Sequence, residues 1–138
     1  MGILVTGASG FVGQYVLEEL SKKSTDEIIA IHRSSSKNLK KIRNVKYIQQ
    51  DLKNIDKEFF YDVENPKNLI HLAWGNLPNY DSNYHIDEEL PIQLDFIKKF
   101  ISCGSKNITI SGTCFEYGNS SGCLHANDNL NTINRYCE

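Results

Sequence analysis

The sequence predicts a doubly wound α/β fold, a parallel sheet whose strands alternate with covering helices. Three observations predict it. Short apolar runs recur five times between polar punctuation, segments of helical period fall between them, and a glycine-rich turn joins the first run to the first helix. With 138 residues, 40% hydrophobic and 23% charged, the composition is ordinary for a globular chain and enough for one core. One domain over residues 1–138 is therefore expected.

In order along the chain, the apolar runs cover residues 3–5, 28–31, 45–48, 69–72 and 108–110, each short enough for a strand. After the first run, Val12, Val16 and Leu20 fall four apart, widened by Phe11, Tyr15 and Leu17, with Glu18, Glu19, Lys22 and Lys23 on the polar side. This spacing predicts an amphipathic helix. Shorter helices are expected over 37–43 and 55–61. A second long helix is predicted over 88–103, with Leu90, Leu94, Ile97 and Ile101 on its apolar face and Lys98 and Lys99 near the end where cations suit the dipole. Gly104 is its natural stop. Parallel strands cannot be joined by tight hairpins, so the intervening helices serve as right-handed crossovers. Residues 34–36 and 75–83 read as loops, and from 118 onward Asn, Ser and Gly dominate with little periodicity. Either a long loop or an unfinished second half begins there.

A net charge of −2 and a pI near 6.1 offer no general electrostatic reason to bind nucleic acid or an anionic membrane. No segment reaches the ~18 apolar residues of a membrane span, and the N-terminus lacks the blocks of a secretory signal. A cytoplasmic location is expected. Cys103, Cys114, Cys123 and Cys137 contain no Cys-x-x-Cys pair, so reduced, unpaired thiols are expected. Cys123 with His125 is at most half a metal site, and no metal is expected.

The stretch "VTGASGFVG" at residues 5–13 places glycines where a strand runs into a helix N-terminus. Such a corner gathers unpaired N–H groups and the positive end of a helix dipole, and so attracts a diphosphate. Gly7 permits the tight turn, Gly10 lets backbone approach the phosphates, and Gly13 lets the helix pack closely on the first strand. A P-loop is excluded because no Gly-Lys-Ser/Thr follows.

"TGASGFVG" resembles the Thr-Gly-x-x-Gly-x-x-Gly fingerprint of the extended short-chain dehydrogenase/reductases, which include nucleotide-sugar epimerases, dehydratases and reductases. Three further matches follow in order: "DL" at Asp51 and Leu52, "HLAW" at His71 to Trp74, and "SGTCFEYG" at Ser111 to Gly118. The resemblance implies a Rossmann-type sheet of strand order 3-2-1-4-5 that stops before a sixth strand and a substrate lobe. It also implies cofactor contacts from Gly7, Ser9, Gly10, Phe11, Val12 and Gly13 at the diphosphate and from Asp51 and Leu52 beside the adenine. Leu72, Ala73 and Trp74 would lie near the cofactor at the end of the fourth strand.

The end of the second strand reads Ile31-His32-Arg33-Ser34-Ser35, without the carboxylate that bonds a ribose 2′-hydroxyl in NAD-selective members of this fold. Arg33, with Ser34 and Ser35, suits a 2′-phosphate, so NADP is favoured, with NAD possible. Arg33 also reads as a solvated loop charge. Asp51 also reads as an N-cap for the segment after it. His71, at the end of a buried strand, reads as a hydrogen-bonded core residue rather than a catalytic one. Trp74 stands where the family has a small residue, and either narrows a pocket or covers the strand ends.

The family moves hydride between nicotinamide and a sugar carbon, and a tyrosine activated by a lysine one helical turn later moves the hydroxyl proton. By this resemblance Thr113 takes the place of the family's Ser/Thr, and Tyr136, 23 residues on, takes that of the catalytic tyrosine; Tyr117 is the weaker candidate. The lysine would be residue 140, beyond Glu138, so the chain reads as a fragment or truncated product that by itself would be inactive. Glu89 falls where the family often has Asn, fitting either a proton-relay role or a surface charge. The substrate of the parent would be a nucleotide-linked sugar, acted on by an epimerase, dehydratase or 4-keto-reductase. Cys114-Phe115 stand where dehydratases tend to carry Asp-Glu, which favours epimerase or reductase. A dinucleotide-binding module without turnover and a scaffold domain are the alternatives. The fifth strand would be left as an exposed edge, so self-association or a homo-oligomer is expected.

Overall fold

The computed structural model describes residues 2–33 and 39–138. Strand β1 (Ile3–Thr6) runs through the glycine turn into helix α1 (Phe11–Lys23), followed by β2 (Ile28–His32) and β3 (Val45–Gln49). A 3-10 turn (Leu52–Asn54) and helix α2 (Lys57–Asp62) lead to β4 (Asn68–His71). A π turn (His85–Glu89) opens into α3 (Leu90–Ser102), then β5 (Asn107–Ile110) and a 3-10 turn (Cys114–Tyr117). The strands form one five-stranded sheet in the order β3-β2-β1-β4-β5, the expected one. Every pairing is parallel, with Leu4 opposite both Ile29 and Leu69 and Thr6 opposite His71.

The side-chain alternation of the strands sorts the core into two layers. Leu4, Ile29, Ile31 and Leu69 pack with Phe60 of α2 and Phe96 and Phe100 of α3. Val5, Ile28 and Ala30 face the other way, onto Leu17 of α1. Phe60 sits with its ring centroid 5.8 Å from Phe96 and 5.6 Å from Phe100, so one aromatic anchors both helices. β2 is buried along its whole length, as a strand covered on both faces must be.

Both long helices form where expected, and the apolar stripe of each packs only in part. In α1 the buried positions are Gly13, Leu17 and Ser21, while Val12 is 56% exposed. The cause is Gly13: its contact with the turn draws in the residues four and eight later, and Ser21 is compensated by donating to the carbonyl of Arg43 and to Asn44 Oδ1, each at 2.8 Å. In α3 Phe96 and Phe100 are the buried apolar pair, and Leu90, Leu94 and Ile101 lie outward. Gly104 ends that helix at φ +84, with its N–H on the carbonyl of Ile101. The short helix expected over 55–61 appears as α2, capped by Asp56. The one expected over 37–43 falls partly outside the described residues, and 39–43 are not helical.

The chain divides into two compact units, one of Met1–Ala73 with Ile92–Ile110, holding the sheet, and one of Trp74–Pro91 with Ser111–Glu138. Among the described residues no helix is long and apolar enough to cross a membrane. The four cysteines are unpaired.

Candidate functional site

In the sheet unit the glycine turn is built for close backbone approach. Gly7 has φ +67, and a Cβ there would lie 2.8 Å from the N of Ala73. A Cβ on Gly13 would collide with the carbonyl oxygen of Gly7 and reach 3.0 Å from Ala8 Cα. The turn is tied down by Gly10 N–H to the Gly7 carbonyl at 3.0 Å and by Ala8 N–H to the carbonyl of Ile31 on β2 at 3.2 Å. Ser9 is half-buried, and its carbonyl accepts from Gln14 Nε2. Gly10 is the N-cap of α1 and gives no side-chain cap, and the first turn carries no acidic residue. The first-turn N–H groups of Phe11, Val12 and Gly13 are thus those a helix leaves without an internal acceptor. Gly10, Phe11 and Val12 are exposed. An uncapped, acid-free helix start beside glycines fits a diphosphate.

Beneath the turn, Thr6 joins two strands in a way the sequence did not disclose. Its Oγ1 accepts from the N–H of Leu72 (3.2 Å) and of Ala73 (3.3 Å), and lies 2.8 Å from His71 Nδ1. With two donors already pointing at it, the hydroxyl gives its own proton to His71, whose Nδ1 is the acceptor. The His71 ring is 3% exposed and stacks on Phe96 with centroids 5.5 Å apart. This is the hydrogen-bonded core histidine that its position suggested. Leu72 and Ala73, both half-buried, are thereby fixed at the end of β4.

Arg33 follows β2 as an exposed residue whose carbonyl accepts from Gln49 Nε2. Ser34 lies outside the described residues. Asp51 caps the 3-10 turn that begins at Leu52, its Oδ1 accepting from Lys53 N–H at 3.2 Å, while Leu52 is buried in the core.

The second unit gathers the hydroxyl-bearing candidates. Thr113 caps the turn over Cys114–Tyr117: its Oγ1 accepts from Phe115 N–H, and Glu116 Oε1 accepts from Thr113 N–H at 2.9 Å, a reciprocal capping box. The Thr113 side chain lies beside the Tyr136 phenol and favours its ionised form. Tyr136 stands in a turn rather than on a helix. Burial pushes its phenol above the ordinary value, Thr113 opposes by hydrogen-bonding the ionised form, and Tyr80, Glu116 and Cys114 push it further up. Around Tyr136 lie the rings of His85 (5.4 Å), Trp74 (5.8 Å) and Tyr80 (5.8 Å). Trp74, half-buried, donates from Nε1 to His85 Nδ1 at 3.0 Å. Glu89 is 6% exposed and accepts from Gly75 N–H at 2.9 Å, so it is no surface charge. Tyr80 and His85 escaped the sequence reading; the polar spacing of His85, Glu89 and Gln93, four apart, was the available signal. Among the described residues no cluster of His, Cys, Asp or Glu could hold a metal ion.

The sequence model of the NAD dependent epimerase/dehydratase family matches residues 3–137. The chain belongs to that family. A dTDP-6-deoxy-L-talose 4-dehydrogenase (NAD(+)) from Aggregatibacter actinomycetemcomitans is 31% identical over 137 residues, which is 99% of this chain and 50% of the relative. The chain thus spans about half the length of this family member. Among solved structures, MoeE5 in complex with UDP-glucuronic acid and NAD superposes with a TM-score of 0.78 at 22% identity, covering 99% of this chain and 44% of that one. The UDP-glucuronic acid 4-epimerase from Bacillus cereus in complex with NAD gives 0.78 at 20% identity, covering 99% and 47%. These likenesses establish the epimerase/dehydratase fold over the chain.

Proposed function

We propose that this chain is the dinucleotide-binding portion of an enzyme that transfers hydride to or from a carbon of a nucleotide-linked sugar, as an epimerase or a keto-reductase. The observation that carries the reading is that Thr113 and Tyr136, two hydroxyls 23 residues apart in a chain of this family, come together, with Thr113 favouring the ionised phenol. Gly7, Ser9, Gly10, Phe11, Val12 and Gly13 hold the diphosphate, and Asp51, Leu52, Leu72, Ala73 and Trp74 border the rest of the cofactor. When bound, the nicotinamide supplies the hydride acceptor or donor. Tyr136 takes or returns the hydroxyl proton at the same sugar carbon, while Thr113 bonds the oxygen. The domain assignment, 1–138 as a dinucleotide-binding domain, belongs to this reading.

Two features support different cofactors. Arg33 and the missing carboxylate favour NADP, whereas the 31% identical relative is named for NAD(+). Titrating the chain with NADH and NADPH by fluorescence separates them: the Arg33 reading expects NADPH to bind at least ~10-fold tighter and Arg33→Ala to erase the difference. Equal affinity overturns the NADP preference. Turnover is tested in the enzyme of which this chain is a portion, with a dTDP-linked 6-deoxyhexose and a UDP-linked hexose, following absorbance of the reduced nicotinamide, with Tyr136→Phe expected to abolish it. A second reading, a dinucleotide-binding module without turnover, is favoured by the neighbours of Tyr136, since Tyr80, Glu116 and Cys114 all hold its proton on. Tight dinucleotide binding with no reaction of either sugar establishes that reading.

A further inference from the structure

Trp74, Tyr80 and His85 lie within a segment to which the functional reading gives no role beyond a border at Trp74, yet they are locked together around one phenol. The indole N–H can only donate, so His85 Nδ1 is the acceptor of the 3.0 Å bond. The imidazole proton then sits on Nε2, which donates to the carbonyl of Asn79 at 2.9 Å. Both ring nitrogens are spent, one tautomer is fixed, and the ring is 1% exposed. The π turn carries His85 and Glu89 together, and Glu89 secures Gly75 N–H next to Trp74. On the other side the Tyr136 N–H donates to the carbonyl of Tyr80 at 3.0 Å, and Phe115 closes on Tyr80 with ring centroids 5.2 Å apart. Tyr136 is therefore held by its own backbone and walled by three rings.

We propose that Trp74, Tyr80 and His85 form a cradle that fixes the place and the hydration of the Tyr136 hydroxyl, and that they are positioning residues for proton transfer there. The inference rests on the reading of Tyr136 as the proton-transfer group. The cradle covers part of the half-buried ring and leaves its hydroxyl beside Thr113. The titratable groups facing it are Tyr80, Glu116, Cys114 and the His85 ring, which its two hydrogen bonds hold as a neutral tautomer; none carries positive charge, so the phenol stays protonated until a cation is supplied.

The test uses tyrosine labelled with 13C at Cζ, with the Tyr136 signal assigned by its loss in Tyr136→Phe. In the unaltered chain the signal titrates above the ordinary phenol value near 10. In His85→Ala it falls towards 10 as water enters, and emission from Trp74, the single tryptophan, moves to longer wavelength. His85→Gln, whose amide accepts from the indole and donates to Asn79, restores both. An unmoved Tyr136 signal in His85→Ala overturns the proposal. Tyr47, whose phenol is also raised by burial but in the sheet unit, reports whether the fold survives. If His85→Ala loses the Tyr47 signature, Trp74→Phe decides: it keeps a ring but removes the donor, and a Tyr136 titration left where it was overturns the cradle. The reading of Tyr136 as the proton-transfer group fails on separate grounds, by turnover surviving in Tyr136→Phe, an outcome that leaves the cradle's effect on the titration intact.

Discussion

A single hydroxyl, that of Thr6, serves the backbone of Leu72 and Ala73 and the ring of His71, so it sets the floor beneath the glycine turn. Thr6→Val keeps the shape and removes the acceptor, leaving buried donors unmatched. Urea unfolding is expected to show a loss of about 2–4 kcal/mol, with Thr6→Ser within about 1 kcal/mol of the parent. A loss below that of Thr6→Ser would show the hydroxyl to be dispensable. Nothing in the sequence distinguishes this threonine from any β-branched residue in a strand, because its partners lie 65 or more residues away. Local chemistry was more legible. Asp51 was readable as an N-cap since its acceptor serves Lys53, two residues on. His85 was not, since its meaning depends on Trp74, outside its own helical turn, and on Tyr136, far along the chain.

Helix α1 shows how an element was found while its packed face was legible only in part. Periodicity located it, but the most apolar stripe is only part of the face that packs. Gly13, in close contact with the turn, packs together with Leu17 and Ser21, Leu20 borders the same layer, and Val12 at the exposed start stays in solvent. In α3 likewise Phe96 and Phe100 win over Leu90 and Leu94, because aromatic area fills the space above the sheet. The exposed start of α1 carries its own prediction. Gly10→Asp places a capping oxygen at φ −73, a conformation any residue adopts, and its Cβ would lie 3.2 Å from the Gly7 carbonyl oxygen, so the cap and the tight contact offset each other and stability is expected to change by no more than about 1 kcal/mol. The same carboxylate opposes a diphosphate, and dinucleotide affinity is expected to fall at least ~10-fold by fluorescence titration. Unchanged affinity would mean the cofactor's phosphates lie elsewhere.

At the scale of the molecule, the order of the strands was legible because parallel pairing with right-handed crossovers leaves few arrangements for five strands and a known fingerprint selects one of them. The divided second unit was not, since its residues carry little periodicity. β5 has one sheet neighbour, β4, among the described residues, and its Ile110 is 54% exposed. Such an edge invites another strand. Sedimentation velocity is expected to show association rising with concentration, and Ile110→Lys to reduce it; a monomer throughout the micromolar range would rule the edge out as a contact. The placement of β1 at the centre of the sheet also bears on how the chain reaches this state. Its two neighbours are β2, the next strand to emerge, and β4, whose His71 lies opposite Thr6 and enters some 65 residues later. Closing that loop costs entropy before any contact repays it, so the fold belongs with the slower, non-local topologies. Until β4 arrives, one side of β1 stays unpaired, and a chaperone that shields apolar strands has its longest task there.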